Sequence, residues 1–230
     1  ALLSELEKLP LHTVLKAGDE LLAIHTDEPL QTLSGLENTG NHMIVLPKSN
    51  FVLLRYPWDI FTHNGAQISA DIALMKLEPN PELLSKTNTL VADYNIYVGG
   101  NVSCGYSLLN AKAGPIYLGS NSEVMEGCII RGSFALGEDA TVKMGTRIYG
   151  DTTVGPHSKV CGEISNAVIF GYSNKAHDGF LGNAVIGEWC NLGAGTNNSN
   201  LKNNYGKVRA WDYPSKAAID TGLQFCGLIM

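Results

Sequence analysis

The chain has no Cys-x-x-Cys spacing, no Gly-x-Ser-x-Gly elbow and no Gly-Lys-Ser/Thr phosphate loop. The missing elbow and loop remove a serine-hydrolase nucleophile and a Walker-type nucleotide cradle. Cys104, Cys128, Cys161, Cys190 and Cys226 show no paired spacing, and Cys128 and Cys190, at small inward positions of a repeat described below, read as packed, reduced thiols of a cytoplasmic protein. Charge is scarce, at 17% Asp, Glu, Lys and Arg, and the net value is −6. A negative balance argues against general nucleic-acid binding. No stretch reads as a secretory signal or a membrane span.

What the sequence does contain is a rhythm. Leu118, Val124, Ile130, Leu136, Val142, Ile148, Val154 and Val160 fall six residues apart. Two residues before the last seven stand Ser122, Cys128, Phe134, Ala140, Thr146, Thr152 and Ser158, small in every case but Phe134. Glycines recur at three times that spacing, at Gly119, Gly137 and Gly155. Six is neither a helical period nor simple alternation, so the repeat describes a larger unit. Three six-residue flats make one eighteen-residue turn of a triangular parallel β-helix. In each flat the aliphatic and the small residue share the inward side, because side chains alternate along a strand. A β-sandwich is the competing reading, but it gives no reason for glycines at multiples of eighteen.

The repeat has breaks. Residues 96–102 and 116–122 are offset by twenty, which places an insertion near Ala113-Gly114-Pro115. Ile186 and Leu192 resume the pattern two residues out of phase with Val160, so 161–180 is expected to bulge or extrude a loop. A second excursion, rich in Asn and Lys, follows Thr196. Breaks in a strict repeat are where chemistry is expected.

The first ninety residues lack the period. Leu2, Leu3, Leu6 and Leu9 suggest a short amphipathic helix. Residues 19–26 and 42–47 read as strands, and Tyr56-Pro57-Trp58-Asp59-Ile60-Phe61 opens a helix. This part, 1–90, reads as the tail of an α/β domain plus connector, with the β-helix occupying 91–230. Opening on Ala1 and closing on Gly227-Leu228-Ile229-Met230, the chain is expected to be an internal fragment, since a coil end needs cover.

Several residues carry candidate chemistry. His177, inside the register break and beside Asp178, can serve as a general base or be a surface histidine. Asn191 and the amides from Asn197 to Asn204 suit sugar hydroxyls and pantetheine, or merely turns. Lys202, Lys207, Arg209 and Lys216 form a local positive bias that fits phosphates or a solvated loop. Arg131 and Lys143 face outward and can hold a sugar phosphate or only water. A zinc site is not expected, because only His157 and His177 lie in the repeat region, while His12, His25, His42 and His63 precede it.

These residues resemble the hexapeptide left-handed β-helix acyltransferases. The stretch SNAVIFGYSNKAHDGFLGNAVIGEWCNLGAGTNNSNLKNNYGKVR, from Ser165 to Arg209, is similar to the acetyltransferase core of bifunctional glucosamine-1-phosphate acetyltransferase / UDP-N-acetylglucosamine pyrophosphorylases. The whole chain is similar to the divergent sugar nucleotidyltransferase-like family of Bacteroidetes-type bacteria. The resemblance implies left-handed coiling, a homotrimer, and acetyl transfer from acetyl-CoA to an amino sugar phosphate. It makes His177 the catalytic base and Asn191 an amide on the sugar or acetyl group. Phe180 stands where better-known members carry a tyrosine. The family's phosphate-gripping lysine has no clear counterpart here, and Lys175, Arg131 or Lys207 are its candidate substitutes. Tyr205 joins the expected sugar contacts, with Ala194, Lys207 and Arg209 on the coenzyme. Mg2+ would serve only a nucleotidyltransferase half, outside these residues. The alternatives are a sugar-1-phosphate nucleotidyltransferase whose β-helix serves oligomerisation, and a non-enzymatic scaffold.

Overall fold

The computed structural model describes residues 2–27, 43–48 and 50–230. Two compact units divide between Leu53 and Leu54.

The first unit holds helix α1 (Leu2–Leu6) and a three-stranded sheet. Strand β1 (Thr13–Ala17) pairs antiparallel with β2 (Glu20–His25) through a tight turn at Gly18-Asp19. It pairs in parallel with β3 (Met43–Val45). The expected helix and both strands are present, although His42, at the start of the second, lies outside the described residues. Val14 and Leu15 are buried on the central strand.

The second unit starts with helix α2 (Pro57–Met75). Its start is written in the sequence: Pro57 occupies the first turn, and the Asp59 carboxylate accepts from the Arg55 and Tyr56 backbone N–H groups at 2.8 and 2.9 Å. The coil follows, three strands to a turn. Strands β4 (Thr89–Val91), β5 (Ile96–Val98) and β6 (Ser103–Cys104) make the first turn. Next come β7 (Leu108–Asn110), β8 (Ile116–Leu118) and β9 (Glu123–Val124), then β10 (Ile129–Arg131), β11 (Phe134–Leu136) and β12 (Thr141–Val142). The fourth turn is β13 (Arg147–Ile148), β14 (Thr152–Val154) and β15 (Lys159–Val160). In the fifth, β16 (Glu163–Ile169) spans two walls before β17 (Asn174–Lys175), and β18 (Phe180–Ile186) begins the sixth. All these pairings are parallel, giving a mainly β, stacked β-solenoid of about five turns that fits a left-handed β-helix.

The interior is what the six-residue rhythm requires. All eight aliphatics and all seven partners are buried, Phe134 included. Each aliphatic removed from water contributes about 1.5–3 kcal/mol before the cost of ordering the chain. Corners hold residues in the left-handed region. One column runs Asn101, Asn121, Asp139, His157, Tyr172 and Trp189, all with φ between 54° and 60°. The last four rungs lean on one another: Asp139 lies 3.7 Å from His157, whose ring stacks on Tyr172 at 4.9 Å, and Tyr172 stacks on Trp189 at 4.6 Å.

One finding corrects the sequence reading and a second adds to it. Ile96 pairs with Ile116, as the offset of twenty requires, but the second break extrudes no loop. Val160 pairs with Lys175 and Ile164 with Leu181, so the chain keeps turning through shortened corners. The corner at Cys161-Gly162 is shortened by two residues relative to Lys143–Arg147 on the turn below. The second finding concerns α2, which sequence grouping left with the N-terminal part. Trp58 and Phe61 pack with Val168, Val185 and Cys226, so the helix lies on the coil wall formed by β11, β14, β16 and β18.

Candidate functional site

The corner from Ala176 to Gly179 joins β17 to β18 and carries His177 on its outer side. Both His177 and Asp178 are exposed, so the imidazole is outside the prism. The geometry of the corner is set by glycine. Gly179 has φ +131°, and a Cβ there would overlap the Thr196 carbonyl oxygen of the next turn. Gly162, at φ +94° one turn below, would meet the Gly179 carbonyl in the same way. These close backbone approaches hold three successive corners together beneath and above the histidine.

Lys175 is the unexpected member. The β17 register puts it inward, in the column Val124, Val142, Val160, and it is only 1% exposed. Its ammonium donates to the Cys161 carbonyl at 3.3 Å and to the His177 carbonyl. Burial pushes this amine below its ordinary pKa, while Cys161 and Asp178 oppose the shift. The expectation that Lys175 grips a sugar phosphate is therefore corrected: its head is consumed by backbone inside the prism and presents nothing to solvent.

Asn191 lies one turn above, bridged in parallel to Asn174 and exposed. Ala194 follows on the corner stacked above that of His177, also exposed, where Thr196 Oγ1 donates to the Gly193 carbonyl at 2.7 Å. His177, Asn191 and Ala194 thus share one edge of the coil. Phe180 starts β18 close by, its ring lying across Gly182, which has no side chain to obstruct it.

The remaining candidates are elsewhere. Arg131 sits three pairings from β18 along Ile130, Ile148, Ile164 and Leu181, about 14 Å at the usual strand spacing. Asn197, Asn198 and Asn200 act structurally: they bond the Phe180 N–H, the Gly182 amide and the Asn183 side chain, clamping the outgoing chain onto β18. Tyr205 and Lys207 are exposed on the excursion, where Lys202 Nζ donates to the Lys207 carbonyl at 3.2 Å. Arg209 opens a hairpin of β19 (Arg209–Asp212) and β20 (Ala217–Asp220), and its guanidinium donates to the Ala218 carbonyl.

Sequence reasoning missed one concavity. Arg209 lines a cavity of about 680 Å³ together with Arg55, Tyr56, Trp58, Trp211 and Tyr213. It forms where the start of α2 meets the hairpin. The only early signal was the aromatic density of Tyr56–Trp58 and Trp211–Tyr213, about 150 residues apart. Among the described residues no group of three or more His, Cys, Asp or Glu could hold a metal, and no helix is long and apolar enough to cross a membrane.

A family model described as sugar nucleotidyl transferase matches residues 1–79. The match spans the first unit and all of α2, then stops before the repeat begins. No curated protein sequence matches the chain. The chain therefore joins a sugar-nucleotidyltransferase-like segment to a β-solenoid of six-residue repeats, the make-up of a sugar-related enzyme.

Proposed function

We propose that the coil transfers an acetyl group from acetyl-CoA to the amine of an amino sugar phosphate, with His177 as the base. The observation that carries this reading is the His177 corner: an exposed imidazole on the same edge of the coil as Asn191, above a corner shortened at Cys161-Gly162. The sugar-nucleotidyltransferase match supports a sugar substrate.

The chemistry asks little beyond approximation and one base. The amine nitrogen attacks the thioester carbonyl carbon as His177 takes its proton. The C–S bond then breaks, and the proton returns from the imidazolium to the leaving thiolate. No covalent enzyme intermediate is needed. Asn191 holds the sugar or the acetyl oxygen, with Ala194 leaving the corner above open for the pantetheine arm. Phe180 offers the sugar an apolar face. Arg131 reaches ligand only from a neighbouring copy, which fits a homotrimer with clefts between prisms. Tyr205, Lys207 and Arg209 serve ligand phosphates from the excursion in the same assembly. The reaction would run in the cytoplasm, where acetyl-CoA is available.

The test is His177→Ala, with acetyl-CoA and glucosamine 1-phosphate as substrates. Turnover should fall 10²-fold or more while circular dichroism and oligomeric state stay unchanged. An unaltered rate removes His177 from the mechanism.

The match over residues 1–79 favours a second reading, in which the protein is a sugar-1-phosphate nucleotidyltransferase and the coil serves assembly. Thermal-shift measurements separate the two: stabilisation by acetyl-CoA supports acyl transfer, and stabilisation by UDP-N-acetylglucosamine alone supports the second. No response to either ligand points to a scaffold.

A further inference from the structure

Every large inward residue of the third coil wall is apolar or a thiol except one. From Cys104 through Val124, Val142 and Val160 the column is continuous, Lys175 follows, and Leu192 resumes it. An amine in such a slot carries a desolvation cost that an aliphatic would avoid, offset only by the contacts it makes. Those contacts converge on one place. Lys175 Nζ bonds the Cys161 carbonyl at the base of the shortened corner and the His177 carbonyl of the corner above, and lies 3.4 Å from the position a Gly179 Cβ would take. It therefore pins the backbone of the histidine to the turn beneath.

We infer that Lys175 is a positioning residue, a buried strut that fixes the outward aim of the His177 imidazole. This role rests on the reading of His177 as the base, and it accounts for why a core slot holds a lysine. The next turn shows that the slot itself does not need one, since Leu192 fills the equivalent position.

The inference makes an unusual demand on one variant. Lys175→Met keeps the length of the side chain and removes the donor. If the lysine were a support of the fold, Met would lower the melting temperature. A positioning strut instead predicts a protein that folds and melts within a few degrees of the wild type, the relieved desolvation of the amine offsetting the two carbonyl bonds lost, yet reacts more slowly. We expect kcat to drop 10- to 100-fold, the cost of a misaimed base, with KM for both substrates within about twofold. Hydrogen exchange at the amides of 176–179, followed by mass spectrometry, should quicken about tenfold or more. Lys175→Leu, the residue of the next turn, is the companion variant should Met not fold. Wild-type kcat together with wild-type exchange overturns the inference. Collapse of both variants overturns it too, because the lysine would then be structural. If the wild type itself does not acetylate glucosamine 1-phosphate, the acyl-transfer reading fails separately, and exchange alone decides: faster exchange sustains the strut, unchanged exchange removes it.

Discussion

Thr153, on the coil, donates its hydroxyl proton to Asn64 Oδ1, on α2, across 2.8 Å. The same amide donates through Nδ2 to the Asp151 carbonyl at 2.8 Å, so one buried asparagine answers two groups on the wall it faces. This pair is the polar pin in an otherwise apolar contact made by Trp58, Phe61, Val168 and Val185.

Asn64→Leu should therefore destabilise the protein by about 1–3 kcal/mol, because it strands a carbonyl and a hydroxyl without partners. Urea denaturation measures it. Gln67→Ala, on the exposed side of the helix where Nε2 meets only Asp71, is the control and should shift the midpoint little. Equal midpoints for the two variants would show that α2 is held by apolar contact alone.

Gly179 and Gly195 make a second comparison on neighbouring turns. Both lie at positive φ, but a Cβ at Gly179 overlaps the Thr196 carbonyl whereas Gly195 has open space around it. Alanine at Gly195 meets only the backbone penalty of about 1 kcal/mol. Gly179→Ala adds a backbone clash and should cost about 1–3 kcal/mol more, and under the proposed function acetyl transfer should fall alongside, because the His177 corner must shift. A Gly179→Ala protein as stable as Gly195→Ala would mean the turns are not in such close register.

Cys104 gives a pH signature. Burial, followed by the nearby Cys128, pushes its thiol up to about 11, with a hydrogen bond to Asn88 opposing. The folded state thus holds the proton more tightly than the unfolded chain, whose thiol ionises near 9. The stability this contributes is complete below pH 9 and is lost as pH rises through about 11. Thermal melts should show that decline, lessened in Cys104→Ala. At pH 8, iodoacetamide should label the partly exposed Cys161 and Cys190 well before Cys104. Early labelling of Cys104 would contradict its burial.

Much of this fold can be read from six-residue spacing, because each inward slot is a separate vote for the same prism. Leu118 to Val160 needed no knowledge of contacts. The break was a different matter. Twenty-six residues separate Val160 from Ile186, which suits four flats with two residues to spare or five flats with four missing. Phase alone cannot choose, and the chain takes the second course through Ile164, Ile169, Lys175 and Leu181. His177 was legible as an outward residue because it sits in that break. Lys175 was not legible as an inward one, since apolar patterning is blind to a lysine in an aliphatic slot. The docking of α2 depends on partners such as Asp151, 87 residues beyond Asn64, and the cavity at Arg55 and Arg209 joins segments about 150 residues apart; no local pattern reports either.

Strand β16 belongs to two walls at once, so the ladder that begins with β4 continues around the prism edge to β5 without interruption. A box with a seam at each edge could flex like a carton; here two panels are one folded sheet. The interior is filled by buried side chains, so chemistry with solvent belongs to the outside of the column, where the imidazole stands.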